Sequence, residues 1–208
     1  MDPNIVCSII EASGTIIAAV SAALIAKGIV KKDIQPFIQS YSYHNLLELI
    51  EKAQYNIVII TAVGDNLMHK FEDDIEARLE AGVQVRYLLL NYEQFEKMEV
   101  YMHGSRAKSG DVHTETVEKL QNFARKYGPK FQFRTSSIPM SASYIGIDLP
   151  FDLEVSSVSS DSMIQVMQYQ YMTSAKNCPV TYLSLKRDRK IFNNTVSSMQ
   201  KMWQEAEL

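Results

Sequence analysis

The 208-residue sequence lacks the short motifs by which several large enzyme classes are recognised. It contains no HExxH, GxxxxGKS/T, GxSxG or GxGxxG segment, so it carries no signature of a zinc peptidase, a P-loop nucleotidase, a serine hydrolase or a dinucleotide-binding enzyme. Its four histidines, His44, His69, His103 and His113, are scattered without the spacing of metal ligands. The sequence therefore predicts neither a metal site nor a bound cofactor.

Cysteine is also scarce. Cys7 and Cys178 are the only two, too few for a disulfide framework or a metal site, so both are predicted to be reduced and structural in a cytosolic setting. The net charge of −3 does not favour binding to duplex nucleic acid. Any anion site must therefore depend on a local basic patch.

Charge is nearly absent from the N-terminal segment. Between residues 5 and 26 the only charged side chain is Glu11, and the segment is apolar on all sides from residue 15 onward. A helix here is long enough for the roughly 20 residues that a membrane crossing requires. Because basic residues come after the segment, we expect an external N-terminus and a cytoplasmic remainder. These residues are Lys27, Lys31 and Lys32.

The chain accordingly divides into a transmembrane helix at 1–30, a connector at 31–43 and a cytosolic domain at 44–208. We expect a single-pass protein of the cell inner membrane, in contact with lipid. Small residues such as Ala18 and Ala22 stand four apart, a spacing that lets helices pack closely and predicts a homo-oligomer. A monomeric anchor and a buried helix of a soluble oligomer are the alternatives.

Glu11 has two interpretations. A carboxylate inside the hydrocarbon region faces a partner helix or water, which would make Glu11 a pore-lining or gating residue. If the span is shifted by one turn, Glu11 lies at the outer interface and is simply solvated. The sequence leaves both open.

Residues 46–91 alternate between helical and strand patterns. Residues 57–60 and 83–90 are apolar and rich in β-branched or aliphatic residues, as in strands covered on both faces, and a helical pattern lies between them. Strand, helix and strand predict a parallel βαβ unit. Ligands bind beyond the carboxyl ends of such strands, which here carry Thr61, Asn91 and Tyr92.

The rest of the chain completes an α/β pattern. Residues 92–112 are polar and predicted to be a loop, either a solvated surface loop or a mobile lid that carries Arg106 over the strand ends. The segment at 163–172 is predicted to be a strand at a sheet edge or an interface. Further strands are predicted at 131–134, 144–147, 153–158 and 180–185, and helices at 114–127 and 191–205.

The order of these parts resembles the phospholipase D-like family over about residues 35–208. The similar segments are Gly-Val-Gln-Val-Arg-Tyr-Leu-Leu-Leu at 82–90, Tyr-Ile-Gly-Ile-Asp at 144–148 and the closing helix that contains Trp203-Gln-Glu-Ala. The resemblance implies a phospholipase D-like mixed sheet flanked by helices.

The family's chemistry requires an HxKxxxxD motif, in which the histidine is the nucleophile and the lysine holds phosphate oxygens. Aligning Asp148 with the motif's aspartate places Ser141 at the histidine and Ser143 at the lysine. Serine is not basic, and no neighbouring histidine is available to activate it. The resemblance therefore implies an inactive domain with no catalytic residues, not an enzyme.

An inactive pocket can still bind a ligand. Ser141 and Ser143 place hydroxyl groups where the family holds a phosphate, and Arg134 is able to make bidentate phosphate contacts. Asn91 and Tyr92 are candidates to contact or stack on a base. The alternative is that Ser141, Ser143 and Arg134 are ordinary loop residues.

A membrane segment joined to such a domain resembles the membrane effectors of nucleotide-signalling antiphage systems. That resemblance implies that the domain binds a nucleotide or a short single-stranded oligonucleotide supplied by a ligand-synthesising enzyme. Binding would control an oligomeric transmembrane channel or membrane disruption in antiviral defence. The alternatives are a membrane-anchored phospholipase D-like phosphodiesterase with non-standard residues and a passive membrane-anchored scaffold.

Overall fold

The computed structural model describes residues 39–40, 42–62, 64–104, 110–151 and 161–207. The predicted transmembrane helix at 1–30, including Glu11 and Cys7, lies outside the described residues, as does most of the connector at 31–43. Among the described residues, no helix combines the length and the apolar composition needed to cross a membrane. Cys178 is a buried, free cysteine.

The described residues form one mixed sheet covered by helices. The strands are β1 (Gln39–Ser40), β2 (Asn56–Thr61), β3 (Gln84–Leu90), β4 (Phe131–Ser136), β5 (Ala142–Ile147), β6 (Met163–Gln168) and β7 (Pro179–Ser184). The α-helices are α1 (Tyr43–Glu51), α2 (Asp65–Glu80), α3 (Tyr92–His103), α4 (Gly110–Tyr127) and α5 (Arg189–Glu205). The predicted α/β class and mixed sheet are confirmed.

The strand order is β1-β7-β6-β5-β2-β3-β4. β2, β3 and β4 are parallel, which confirms the βαβ unit, whereas β5, β6, β7 and β1 pair antiparallel. Because β5 runs against β2, its first residues lie beside the end of β2, and β6 then ends at the same side. We call this side, where β2, β3, β4 and β6 end and β5 begins, the carboxyl edge.

Two apolar cores lie on the two faces of the sheet, because the central strands are buried on both faces. The first core joins sheet residues to α1, α2 and α4; among its members are Ile57, Ile59, Val85, Leu46, Ile75, Leu79 and Leu120. The second core joins the other face to α3 and α5; among its members are Val58, Ile60, Leu88, Phe95, Phe192, Met199 and Trp203. Each fully buried aliphatic or aromatic side chain contributes roughly 1.5–3 kcal/mol through burial.

The prediction of a loop at 92–112 is wrong for residues 92–103, which form α3, and for residues 110–112, which begin α4. The Asn91 side chain accepts a hydrogen bond from the Gln94 N–H and caps the helix start, and Gly104, with φ 72°, ends it. Phe95 and Met102 are buried two turns apart. This apolar stripe is narrow, and the charged residues between its members obscured the helical periodicity in the sequence. Residues 105–109, which include Arg106, lie outside the described residues.

The strand predicted at 163–172 ends earlier, at Gln168, and the expectation that it lies at a sheet edge is wrong. β6 pairs with β5 on one side and β7 on the other. The polar Gln165 of this strand is buried and accepts a hydrogen bond from the Tyr182 hydroxyl at 3.0 Å. The predicted strand at 153–158 lies outside the described residues.

Candidate functional site

The candidate site is the carboxyl edge, where three helices begin close to strand ends. α2 follows Thr61 at the end of β2, and Tyr92 opens α3 directly after β3. In the first turns of α4, His113 places Nε2 2.9 Å from the carbonyl oxygen of Leu90, the last residue of β3. Helix N-termini carry partial positive charge and unpaired N–H groups. The backbone at this edge therefore favours an anion, whereas Glu93 and Asp111, in the first turns of α3 and α4, oppose one.

A buried hydroxyl cluster lies at this edge and consists of Thr61, Ser143 and Tyr169. All three residues are buried. The Tyr169 hydroxyl accepts the Ala62 N–H at 2.9 Å, lies 3.3 Å from Thr61 Oγ1 and is hydrogen-bonded to the Ser143 side chain. Thr61 and Ser143 were predicted from the sequence, but Tyr169 was missed. The cluster ties the end of β6 to the turn between β2 and α2.

The two serines aligned with the family's basic pair occupy different environments. Ser143 is buried in the hydroxyl cluster, whereas Ser141 is exposed. The Ser141 carbonyl accepts the Tyr169 N–H at 3.0 Å, which fixes the backbone and leaves the side chain at the surface. Ser141 is thus the aligned hydroxyl that a ligand in solvent can reach.

Burial raises the pKa of Tyr169, although hydrogen bonds with Thr61, Ala62 and Ser143 partly oppose the shift. Because the folded state keeps the phenol protonated while the unfolded chain loses this proton above about pH 10, stability falls as pH rises past that value. We expect Tyr169 to lower the free energy of unfolding by up to about 1.4 kcal/mol per pH unit there.

Urea unfolding at pH 7 to 11 measures this effect. Tyr169→Phe removes the titrating group, so the free energy of unfolding of this variant should fall less steeply with pH at alkaline pH. At pH 7 it should be lower than that of wild type by roughly 1–2 kcal/mol, because the Ala62 N–H loses its acceptor. Tyr171→Phe is the matched control, since Tyr171 is 68% exposed. An identical pH slope in wild type and Tyr169→Phe would contradict the assignment.

Asn91 and Tyr92 lie at the carboxyl edge, as predicted. Asn91 is committed to structure, because its side chain caps α3 and its N–H donates to the Ser136 carbonyl at 2.8 Å. Tyr92 is 46% exposed, and its ring meets His113 edge-on at 5.7 Å between centroids. His113 is also packed against Phe95 at 4.7 Å. Tyr92 therefore exposes an aromatic ring that packs against the buried His113 side chain.

Arg134 is not brought together with the serines. It pairs in register with Leu88, a member of the second core, whereas Ser143 shares a face with Ile145 of the first core. Its Nη1 donates to the Trp203 carbonyl at 2.8 Å, and its guanidinium lies 4.7 Å from the centre of the Trp203 ring. Arg134 thus holds the last turns of α5 against β4.

Asp148 lies at the opposite end of β5 from the serines. Its carboxylate accepts backbone N–H groups from Gln54, Tyr55 and Asn56 at the start of β2. The aligned aspartate is therefore engaged in joining β5 to β2. Among the described residues, no group of three or more His, Cys, Asp or Glu side chains is arranged to hold a metal ion.

Neither protein-family models nor curated proteins match this sequence. Among solved structures, TrmBL2, an archaeal chromatin protein described as showing a novel mode of DNA binding, is similar with a TM-score of 0.51 and 13% identity. The match covers 96% of this chain and 65% of TrmBL2, so the chain spans about two thirds of that protein's length.

Two further solved structures match this chain with lower TM-scores. Nuc from Salmonella typhimurium, a phospholipase D family member, has a TM-score of 0.46 and 14% identity, over 82% of this chain and 95% of Nuc. NucT from Helicobacter pylori has a TM-score of 0.45 and 11% identity, over 82% of this chain and 96% of NucT. At these identities the likeness concerns the fold alone.

Proposed function

We propose that this chain binds a small anionic ligand at the carboxyl edge without turning it over. The observation that carries the proposal is the pair Ser141 and Ser143, aligned with the family's basic pair at an edge where helices begin. Ser143 is hydrogen-bonded to Tyr169, and Ser141 has no imidazole partner among the described residues. Hydroxyls and helix N-termini bind phosphate oxygens, and a hydroxyl without an adjacent base to activate it is a poor nucleophile.

The proposed ligand is a nucleotide or a short single-stranded oligonucleotide. Ser141 and the backbone N–H groups of the edge would contact the phosphate, and Tyr92 would stack on a base, since every base offers a face to an aromatic ring. Arg134 is left out of this binding set because its guanidinium is held by Trp203. The ligand's charge would be met mainly by helix termini, which favours a small ligand over a duplex.

The proposed role is that of a membrane effector in antiviral defence. The apolar segment at 1–30, with Glu11 as its only acidic residue after Asp2, would form a homo-oligomeric membrane assembly. A partner enzyme would synthesise the ligand, and binding would shift the assembly between two states and so control a channel or disrupt the membrane. Such a switch requires that the ligand bind the two states with different affinity.

The full chain purified in mild detergent tests the ligand site. We expect an absorbance ratio at 260 and 280 nm that indicates bound nucleotide, and a nucleotide or oligonucleotide in the mass spectrum of the material released by heat. Ser141→Asp places a carboxylate beside the phosphate and should weaken binding about tenfold or more. Ser197→Asp, on the exposed side of α5, is the matched control and should bind as wild type does.

Two outcomes overturn the proposal. The first is equal nucleotide content or affinity in Ser141→Asp and Ser197→Asp, which would remove the edge as the site. The second is hydrolysis of a phosphodiester substrate that is lost in Ser141→Ala, which would establish the alternative enzyme. Duplex DNA belongs in the same titration because TrmBL2 is described as a DNA-binding protein; with a net charge of −3, we expect this chain not to bind it.

A further inference from the structure

Four basic side chains are crowded together where β7 leads into α5. Lys186 and Arg187 belong to the turn between the two elements, and Arg189 and Lys190 open α5. All four residues are exposed, and we call them the basic turn. Because the whole chain has a net charge of −3, the basic turn is a local reversal of its sign.

Acidic neighbours neutralise only half of the basic turn. Lys186 Nζ lies 2.8 Å from an oxygen of Asp161, and Arg187 Nη2 lies 2.9 Å from an oxygen of Asp188. The other two cations form no ion pair within the part of the chain that the structure describes, and α5 has no acidic residue ahead of Glu205. Four cations and two carboxylates therefore leave a net charge of +2. Lys186 and Arg187 also remain more than half exposed, and ion pairs in solvent are weak.

The position of Arg189 and Lys190 does not stabilise the helix that carries them. The first turn of α5 contains no acidic residue. Since the N-terminus of a helix carries partial positive charge, cations in the first turn are repelled. An anionic partner outside the domain accounts for two cations at this position, whereas the stability of α5 does not.

The exposed Ile191 favours a bilayer over nucleic acid as this partner. Ile191 follows Lys190 directly and is 51% exposed. At a bilayer surface, cations meet anionic headgroups while an aliphatic side chain enters the acyl boundary. Single-stranded nucleic acid is bound by cations interleaved with exposed aromatic rings, and residues 185–191 contain no aromatic residue. We propose that the basic turn and Ile191 dock on the surface of an anionic bilayer.

Docking through the basic turn leaves the ligand site free. Because β7 runs antiparallel to β6, β7 ends on the side of the sheet opposite the carboxyl edge. The same side carries Lys52 and Lys130, which balance Glu51 and Glu80, so the basic turn sets its sign. A domain docked through this side exposes Ser141 to a ligand in solution. The inference rests on the proposed membrane location of the chain and adds which side of the domain faces lipid.

Fluorescence quenching by spin-labelled lipid tests the docking on the full chain reconstituted in vesicles. In a Cys7→Ser chain, with Cys178 buried, Asn194→Cys carries a fluorophore on the second turn of α5. Gln170→Cys, exposed after β6 at the carboxyl edge, is the matched control position. With about 30% phosphatidylglycerol, we expect headgroup-labelled lipid to quench the fluorophore on α5 about threefold more than the control. In pure phosphatidylcholine the two positions should be quenched equally and weakly.

Charge reversal shows whether the basic turn causes the docking. Arg189→Glu combined with Lys190→Glu should reduce the quenching on α5 to the level at the carboxyl edge. Acids suit the start of a helix, so this variant should be at least as stable as wild type, and lost docking is then not lost folding. Arg125→Glu combined with Lys176→Glu makes the same change in net charge on other exposed surfaces and should be quenched as wild type is. Ile191→Ser should lower the quenching on α5 about twofold.

Equal quenching at the two labelled positions, or on α5 with and without phosphatidylglycerol, would overturn the docking. Binding of poly(dT) that the double charge reversal removes, with quenching unchanged, would make nucleic acid the partner instead. A chain that does not float with phosphatidylcholine vesicles would reject both the membrane location and the docking. Nucleotide content of the same samples separates the ligand site from both. Bound nucleotide without quenching rejects only the docking, and quenching without any nucleotide rejects only the sensor.

Discussion

Asp148→Ala is expected to lower the free energy of unfolding by about 4 kcal/mol, because it leaves three backbone donors without their acceptor. The Asp148 carboxylate lies 2.7 Å from the Tyr55 nitrogen, 3.0 Å from that of Gln54 and 3.3 Å from that of Asn56. Asp148 is 4% exposed and the Asn56 donor is buried with it, so water does not readily replace the carboxylate at Asn56. Asp148 also has a φ of 53°, a left-handed conformation that is strained for alanine.

Urea unfolding of the full chain in detergent measures this loss. Asp148→Asn keeps one side-chain oxygen and suits a positive φ, so we expect about half the loss. Asp73→Ala removes an exposed aspartate on α2 and should change the free energy of unfolding by less than about 0.5 kcal/mol. A loss in Asp148→Ala no larger than that of Asp73→Ala would contradict this role.

The same contact shows why aligning a motif does not reveal what its residues do. Asp148 was identified from the sequence. Aligning it with the aspartate of the HxKxxxxD motif assigned Ser141 and Ser143 to the positions of the histidine and the lysine. Its carboxylate, however, contacts the chain more than 90 positions earlier, at the opposite end of β5 from the serines. Such pairing of distant segments is a tertiary property with no trace in local periodicity.

Local sequence patterns were sufficient to predict an element where a single pattern extends over the whole segment. Residues 57–60 are apolar on both faces, and they form the buried centre of β2. By contrast, α3 was taken for a loop because its buried stripe of Phe95 and Met102 is narrow and surrounded by charged residues. Its Asn91 cap, with the helix-ending Gly104, is the sequence signal that would have found it.

The carboxyl-edge rule placed part of the candidate site but not all of it. Thr61 and Tyr92 follow directly from where β2 and β3 end. Tyr169 did not, because it joins Thr61 across 108 positions through the pairing of β6 with β5. Arg134 was placed near the edge, but the face it points to depends on strand register, and a shift of one residue reverses that face.

Trp203→Ala is the second large effect we expect, a loss of about 3–5 kcal/mol in the free energy of unfolding. Trp203 is 8% exposed and belongs to the second core, where its ring meets Phe151 at 6.3 Å between centroids. Its removal leaves a cavity under α5 and takes the aromatic face from the Arg134 guanidinium. Ile191→Ala, an exposed change on the same helix, should cost less than about 1 kcal/mol.

A double-mutant cycle with Arg134→Met isolates the contact between the two side chains. Methionine keeps an apolar stem but does not stack as a cation on the Trp203 ring, so we expect a coupling of about 1 kcal/mol between the two changes. The hydrogen bond to the Trp203 backbone carbonyl is lost in Arg134→Met with or without the ring, so it cancels in the cycle. Nucleotide binding by Arg134→Met should match wild type, because Arg134 and the serines lie on different faces of the sheet. Lost binding without lost stability would return Arg134 to the ligand site and require β4 or α5 to move when the ligand binds.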